Sequence, residues 1–490
     1  MLLDAANPAA SGEIVEGLAA SAPEPAAPAR PALDPRTRRL IDGPIAATLI
    51  RLAAPNMLVM IVQASLGLIE TYFVGRLGTA ALAGITLVFP AVMLMQMMSA
   101  GAVGGGIASA VARALGGGRR HDADRLAQHA VAIAIGFALV FSIAILLGGR
   151  ALYGAMGGAG DALAAALTYS NIVFAGLVLI WVFNALANVI RGTGNMAVPA
   201  GISIALTLIL VPLSPCLIFG WGPFPRLGIA GGGVAIVVYY AIGVALLGWY
   251  LGSGRSVVRL RLAGWRLEAR FFEEILRVGA VAALITVQTN ATVVVTTALV
   301  GRFGAAAIAG YGVGARLEYL LVPLVFGLGS PLVAMVGTSI GAGRNARALR
   351  TAWIGAGIAF ALTETIGLAA AAMPVAWLSL FDRDPTMLHA GAQYLRVVGP
   401  CYGLYGLGMA LYFASQGAGT LRWPLTAAVT RFVIAAGGGW LAYRLTGDLA
   451  SVFAALAAAL IAFGAINAAA VAAGAWFAKP TGTKATGNRR

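Results

Sequence analysis

The chain has 490 residues, of which 60% are hydrophobic and 10% are charged, and its formal net charge is +15 at pH 7. A soluble chain of this length would need far more charge on its surface, so the composition excludes a water-soluble globular protein and favours an integral membrane protein. The two cysteines and three histidines show no ligand spacing. We therefore expect neither a disulfide framework nor a metal site, and no cofactor is implied.

The first 43 residues are rich in Ala and Pro and contain no apolar core, so they predict a disordered cytoplasmic tail rather than a secretory signal. Twelve apolar stretches follow, each long enough to cross about 30 Å of hydrocarbon as a helix of roughly 20 residues. These spans, numbered here from first to twelfth, are predicted near 46–74, 79–112, 125–148, 163–190, 197–220, 229–252, 273–300, 305–338, 348–380, 388–414, 423–445 and 449–477. The predicted domains are a tail at 1–43, an N-lobe at 44–253, a basic cytoplasmic linker at 254–269, a C-lobe at 270–478 and a second cytoplasmic tail at 479–490.

An internal repeat divides the chain into these two lobes. ETYFVGRLGTAALAG at 70–84 returns as TTALVGRFGAAAIAG at 296–310, with nine of fifteen positions identical. Tyr169 likewise returns as Tyr394, at an offset of 225 residues. Because each copy holds six spans, an even number, both copies cross the membrane in the same direction. The sequence therefore predicts an all-α polytopic membrane protein with two parallel six-helix lobes, related by a pseudo-two-fold axis along the membrane normal.

The distribution of basic residues predicts the orientation. If the N-terminus is cytoplasmic, then the tails, the inner loops and the flanking residues Arg51 and Arg277 hold 24 of the 33 Lys and Arg residues, while the outer loops hold six. Loops on the cytoplasmic side of membrane proteins carry such an excess. We therefore expect a multi-pass protein of the cytoplasmic (inner) membrane with both termini in the cytoplasm. Anionic lipid then accounts for the net charge, and no nucleic acid is needed as a partner.

Several motifs resemble those of the multidrug and toxic compound extrusion (MATE) family. They are VGRLGTAALAG after the first span, GIASAVARALGGGRRHDADR at the end of the second and RGTGNMAVP after the fourth, with the C-lobe copies GTSIGAGRNARALR and ASQGAGTLRWP. The resemblance covers about residues 45–478. It implies twelve helices in two lobes around a central cavity, and export of drugs or organic cations driven by H⁺ or Na⁺.

The chain departs from this family at several polar positions. Many relatives carry Asp where Glu70 stands, and an Asn-x-x-x-Asp pair in the fifth span that aligns here with Thr207 and Val211. Other relatives place acids in the seventh and tenth spans, whereas the seventh span here has Gln288 and Asn290 and the tenth has no acid. With only one carboxylate in the N-lobe site, we expect H⁺ rather than Na⁺ as the coupling ion, with Na⁺ as the alternative.

Glu70 is predicted to be the main coupling carboxylate. Ionisable groups inside a membrane are expensive and usually face a protein interior or a water-filled cavity. Gln63 lies seven residues earlier on the same helix face, and Asn184 and Asn188 form a second polar stripe on the fourth span. We expect these three amides to hydrogen-bond Glu70, with Thr207 completing a polar cavity. The alternatives are interhelical hydrogen bonds for the amides and an interfacial, water-reaching position for Glu70.

The C-lobe has its own candidates. Arg316 and Glu318 lie within the eighth span, where an i,i+2 pair does not share a helix face, so each needs a partner elsewhere. Glu364 lies in the ninth span, and Arg431 in the eleventh is a candidate partner for it. The alternative to a functional role is that these charged residues form structural ion pairs between helices. Gln288 and Asn290 join them as polar candidates.

Two classes of function remain open. The first is a secondary-active antiporter, acting as a monomer by alternating access on a small amphiphilic substrate in the lipid bilayer. The alternative is a flippase of lipid-linked saccharides or another amphiphile, which would need a strongly basic cavity. An enzyme is not expected, because the sequence has no metal cluster, nucleophile motif or phosphate loop. The sign of the cavity distinguishes the two transporters, since clustered arginines favour lipid phosphates and an acidic or neutral aromatic cavity favours cations.

Overall fold

The computed structural model describes residues 33–261 and 266–477, and every regular element within these ranges is helical. The predicted tail at 479–490 and most of the tail at 1–43 lie outside the described residues. Within this described part of the chain, eleven helices are long and apolar enough to cross a membrane, and one bent pair of helices, counted as a single span, makes the twelfth. The predicted all-α, twelve-span fold is therefore confirmed.

The first six spans have the bounds Ile45–Gly75, Thr79–Gly116, Arg120–Ala155, Gly160–Ala175 continued by Leu177–Gly192, Ala197–Phe219 and Ile229–Gly252. The second six are Ala269–Gly301, Ala305–Gly341, Asn345–Ala372, Pro385–Ala418, Arg422–Thr446 and Leu449–Ala472. The fourth span bends by 47° between its two helices. The tenth is interrupted by a 3-10 turn at Gly399–Cys401, and the second contains a π-helical stretch at Met97–Val103.

The N-terminal tail is shorter than the sequence predicted, because a helix already forms at Pro35–Asp42. The side chain of Asp34 caps this helix, and proline at its first position has a backbone preorganised for helix and no N–H to leave unpaired. Leu40 and Ile41 are buried against the rest of the protein. Burial of this face gives the helix a tertiary stabilisation that composition alone does not reveal.

The two lobes cross each other closely at one end of the bundle. We call the side that carries the N-terminal helix and the ends of the even-numbered spans the basic face, and the opposite side the far face. A Cβ atom on Gly116, which ends the second span, would lie 2.1 Å from the carbonyl oxygen of Thr338 in the eighth. A Cβ on Gly341, which ends the eighth span, would lie 2.1 Å from the carbonyl oxygen of Arg113 in the second. These two contacts are exchanged by the 225-residue repeat, as a pseudo-two-fold axis requires.

In the far half of the bundle the corresponding glycines contact their own lobe instead. Gly84 of the second span faces Ala165 and Ala166 of the fourth, and Gly310 of the eighth faces Gly391 of the tenth. Small residues let helices approach closely in lipid, where packing rather than water drives association. Of these four glycines, the two near the basic face thus join the lobes, and the two near the far face join helices within one lobe.

The first span belongs to both lobes. In its basic half, Leu49 and Ala53 are buried in the apolar cluster of the C-lobe. The Asn56 side-chain amide donates to the carbonyl oxygen of Gly327 in the eighth span, at 3.2 Å. Further along the helix, a Cβ on Gly232 of the sixth span would lie 3.4 Å from a carboxylate oxygen of Glu70, so the far half packs within the N-lobe. The first span therefore connects the interface between the lobes, which we call the seam, to the interior of the N-lobe.

The linker is bound along the third span rather than lying free between the lobes. Arg120 donates to the carbonyl oxygen of Val257 at 2.8 Å, and Asp124 accepts from the backbone N–H of Arg259 at 2.7 Å. At the other end of the linker, His129 accepts from the backbone N–H of Glu268 at 2.8 Å. These contacts attach the described part of the linker to the N-lobe.

Candidate functional site

Glu70 lies in the last two turns of the first span, at a small pocket near the far face. The hydroxyl of Tyr169, on the fourth span, donates to its carboxylate at 3.0 Å. Ile69, Glu70, Phe73, Leu210, Val211, Ser214 and Gly232 line the pocket. Because Gly232 on the sixth span has no side chain, it leaves room for the carboxylate of Glu70. Four helices of the N-lobe, the first, fourth, fifth and sixth spans, therefore meet around one acid in a largely apolar pocket.

The fifth span contributes two informative residues to this pocket. Val211, the position where many relatives carry a second acid, lines it with an apolar side chain. Ser214, one turn further on, also lines it, and its buried hydroxyl has no hydrogen-bond partner among the described residues. A buried hydroxyl without a partner carries a desolvation penalty of about 1–3 kcal/mol. The free hydroxyl can donate a hydrogen bond to a water molecule beside Glu70 or accept one from it, and its oxygen can coordinate a cation.

Asn184 and Asn188 do not contact Glu70, which corrects the expectation for these amides. Asn184 donates to the hydroxyl of Ser99 at 2.8 Å, and Asn188 donates to the carbonyl oxygen of Ala100 at 3.2 Å. Both acceptors lie in the π-helical stretch of the second span. A π-helical turn alters the regular backbone pairing of a helix and is often found at functional positions. The two amides therefore stabilise an irregular segment at the lobe seam, and hydrogen bonding between helices is the observed role.

Gln63 and Thr207 form a separate polar group that lies about two helical turns closer to the basic face than Glu70. Both side chains lie within hydrogen-bonding reach of the hydroxyl of Tyr239 on the sixth span. Seven residues of helix separate Gln63 from Glu70 by roughly 10 Å along the axis. The first, fifth and sixth spans thus share a second polar contact inside the N-lobe, and Gln63 is not a direct partner of Glu70 among the hydrogen bonds described.

The C-lobe repeats the tyrosine–carboxylate pair with a different acid. Tyr394, the repeat counterpart of Tyr169, donates to Glu318 at 2.7 Å. Arg431 is close enough to interact electrostatically with Glu318, and it stacks on the ring of Tyr405 at 5.0 Å. Arg316 points away from this group and stacks on Phe381 at 5.3 Å. Glu318 therefore has a cation partner, but that partner is not its neighbour in the sequence.

Glu364 stabilises the interruption of the tenth span instead of pairing with Arg431. Its carboxylate accepts from the backbone N–H of Gly403 at 2.7 Å, just after the 3-10 turn at Gly399–Cys401. A helix that restarts leaves its first N–H groups unpaired, and a carboxylate satisfies them well. This corrects the expected Arg431 partner and gives Glu364 a backbone partner within the C-lobe.

A matched pair of substitutions tests that contact. Glu364→Gln keeps an oxygen that can accept from Gly403, whereas Glu364→Leu leaves the buried N–H unpaired, which costs about 1–3 kcal/mol. We expect a lower melting temperature in detergent for Glu364→Leu, with transport by Glu364→Gln close to that of the unchanged protein. Loss of transport in a stable Glu364→Gln variant would show that the charge has a functional role.

Gln288 and Asn290 satisfy themselves within the seventh span. Gln288 donates to the hydroxyl of Thr292 at 2.9 Å, and Asn290 donates to the carbonyl oxygen of Thr286 at 2.9 Å. Each bond joins residues four apart on one helix, so these amides do not assemble with Glu318.

Two polar residues beside Glu70, Tyr169 and Ser214, were missed by the sequence analysis. Tyr169 had a usable signal, since it is one of the residues retained at the 225-residue offset. Ser214 had none, because a serine three residues from Val211 resembles any other small residue in an apolar helix.

Comparison with known proteins supports this architecture. The family model of MatE matches residues 55–216 and 282–441. The chain is 30% identical to the FAD transporter of Shewanella oneidensis over 77% of this chain and 82% of that protein. It is also 30% identical to the probable multidrug resistance protein NorM of Deinococcus radiodurans, over 78% of this chain and 85% of that one. The chain belongs to the MatE family of membrane transporters.

Solved structures show the same fold at lower identity. One, described as the outward-facing conformation of a multidrug resistance MATE family transporter, superposes with a TM-score of 0.80 at 20% identity and covers 90% of this chain and 99% of that one. A second, a MOP superfamily transporter from Pyrococcus furiosus described as having a binding pocket of reverse polarity, gives 0.81 at 21% identity and covers 91% and 100%. The three proteins therefore share one fold.

Proposed function

We propose that this protein is a proton-coupled exporter of amphiphilic drugs or organic cations, working by alternating access in the cytoplasmic membrane. In this proposal the basic face is cytoplasmic, as the arginine distribution predicts, and one chain suffices because it holds both lobes. The seam closed at the basic face then corresponds to the state open to the outside.

The Glu70 pocket is the observation that carries the proposal. A carboxyl group removed from water holds its proton more readily, so it can load a proton on one side of the membrane and release it on the other. Tyr169 donates to the carboxylate at 3.0 Å, a bond that favours the ionised form. Opening and closing of the pocket would shift the balance between these two effects.

The composition of the pocket favours H⁺ over Na⁺. Glu70 is the one acid among the described residues that line it, and the side chain of Val211 supplies no oxygen. A bare cation held by one carboxylate, one phenol and one serine hydroxyl would lack much of its usual oxygen shell. A proton needs only the carboxylate.

The charges of the C-lobe favour a cationic or neutral substrate. Arg316 stacks on Phe381, whereas Arg431 lies over Tyr405 and near Glu318. Arg396, on the tenth span, is exposed. Dispersed arginines do not form the basic cavity that a lipid-linked saccharide phosphate would need, so the flippase remains the weaker alternative. The similarity to a named FAD transporter adds one anionic candidate that deserves a direct assay.

Purified protein in liposomes tests the function. An imposed pH gradient, or separately a Na⁺ gradient, is applied while uptake of a fluorescent organic cation and of FAD is measured in parallel vesicles. We expect cation transport driven by the pH gradient, with proton movement in the opposite direction and little response to Na⁺. Transport of FAD alone would overturn the assignment of a cationic substrate. Transport driven by Na⁺ alone would overturn the assignment of H⁺ as the coupling ion.

A further inference from the structure

The helix Pro35–Asp42 lies across the seam between the lobes at the basic face. One face of it is buried, with Leu40 and Ile41 each less than 5% exposed. Arg36, Arg38 and Arg39 are exposed on its other side. It leads directly through Gly43 and Pro44 into the first span. A short basic helix buried on one face needs a defined receptor, and the structure supplies one from both lobes.

The C-lobe side of this receptor is built on the start of the ninth span. The guanidinium of Arg347 donates to the carbonyl oxygen of Leu40 at 3.0 Å and to that of Gly43 at 2.5 Å. These are the carbonyl groups at the end of the N-terminal helix, which have no partner within it. Arg344 adds an ion pair with Asp42 at 3.6 Å. The positive end of one element thus holds the negative end of another.

The N-lobe side is a glycine in the loop between the fourth and fifth spans. A Cβ atom on Gly194 would lie 2.6 Å from a methyl carbon of Leu40, so Leu40 packs directly on the backbone there. Gly194 also has φ +78°, which other residues rarely adopt. Leu40 belongs to the same apolar cluster as Val336 of the eighth span and Ala108 of the second. The side chain of Leu40 therefore fills the seam itself.

We propose that the N-terminal helix is a latch that holds the basic face closed, and that Arg347 is the positioning residue that fastens it. Opening the basic face must move Gly194 away from Arg347, so the helix cannot keep both sets of contacts. Its docking therefore stabilises the state closed at this face and opposes the opposite state. The inference rests on the proposed alternating-access cycle and adds to it an element outside the twelve spans.

Distances between the lobes at the basic face test the latch. Ala197 and Arg422 are exposed counterparts in the repeat, and each is changed to Cys and spin-labelled in a chain carrying Cys216→Ser and Cys401→Ser. Double electron–electron resonance then reports the closed and open populations in nanodiscs. For Arg347→Gln we expect a roughly tenfold rise in the ratio of long to short distances, as expected for the loss of a charge-assisted hydrogen bond. Arg350→Gln removes the same charge from an exposed position on the same helix and should leave the ratio unchanged.

A deletion of residues 2–43 separates the latch from other effects of Arg347. If Arg347 acts through the helix, the deletion raises the ratio by itself, and adding Arg347→Gln to it produces no further change. An unchanged ratio in the deletion, or a full effect of Arg347→Gln in its absence, would overturn the proposal. These distances are measured without substrate or a gradient, so a failed transport assay would count against the proposed function and not against the latch.

Discussion

Glu70→Gln is expected to abolish active export while leaving a folded, membrane-inserted protein. The amide oxygen can still accept from Tyr169, so the packing of the first and fourth spans is preserved. The amide cannot bind and release a proton, so the proton gradient can no longer drive the accumulation of substrate. One charge moved through 100 mV is worth about 2.3 kcal/mol, which corresponds to roughly a fiftyfold gradient. We expect substrate accumulation in proteoliposomes to fall by about that factor.

Two further variants separate the proton from the hydrogen bond. Glu70→Asp keeps an acid one methylene shorter and should retain part of the activity. Tyr169→Phe removes the donor and should shift the pH dependence of export. Tyr153→Phe is its control, because Tyr153 pairs with Ser170 at 2.6 Å in the same lobe without contacting Glu70. Full drug resistance in cells expressing Glu70→Gln would refute the assignment and move attention to Glu318.

Gly116→Ala and Gly341→Ala should each reduce export strongly by keeping the lobes apart at the basic face. Each added Cβ would lie 2.1 Å from a backbone carbonyl oxygen of the other lobe, so the lobes themselves must separate. Overpacking of this kind costs about 1–3 kcal/mol. That range corresponds to a shift of roughly fivefold to more than a hundredfold between the two states.

The glycine variants are compared with Gly357→Ala, which places the same methyl group in open space on the ninth span. Because the clash lies between the lobes, each lobe should still fold, and the variants should elute as intact protein in size-exclusion chromatography. Spin-label distances across the basic face should lengthen for Gly116→Ala and Gly341→Ala but not for Gly357→Ala. Normal export by either seam variant would mean that this crossing does not control access.

The fold was readable from the sequence because its signals are long and repeated. Spans of some 20 apolar residues and a 225-residue repeat survive local irregularities. The polar contacts were harder to predict, since spacing places Asn184 and Asn188 on one face of a helix without saying which neighbour that face meets. The π-helical stretch at Met97–Val103 supplies their acceptors, and no pattern in the sequence predicted this stretch.

The N-terminal helix shows how composition can conceal a local signal. Ala and Pro over the first 43 residues predicted disorder, yet Asp34 followed by proline is a usual helix start. The positions of Leu40 and Ile41 suit one buried face. What decides between the two outcomes is the receptor formed by Gly194 and Arg347, which exists only after the lobes have folded.

The repeated tyrosine binds a carboxylate in each lobe, but the carboxylate comes from a different helix in each copy. Tyr169 and Tyr394 are equivalent, but their carboxylate partners come from the first helix of one lobe and the second helix of the other. Those two helices are also neighbours across the seam, where Asn56 donates to the carbonyl oxygen of Gly327. Glu70 and Glu318 thus lie on two helices, the first and eighth spans, that contact each other although they belong to different lobes. A shift of one of these helices therefore acts directly on the helix that carries the other acid, although the two helices belong to different lobes.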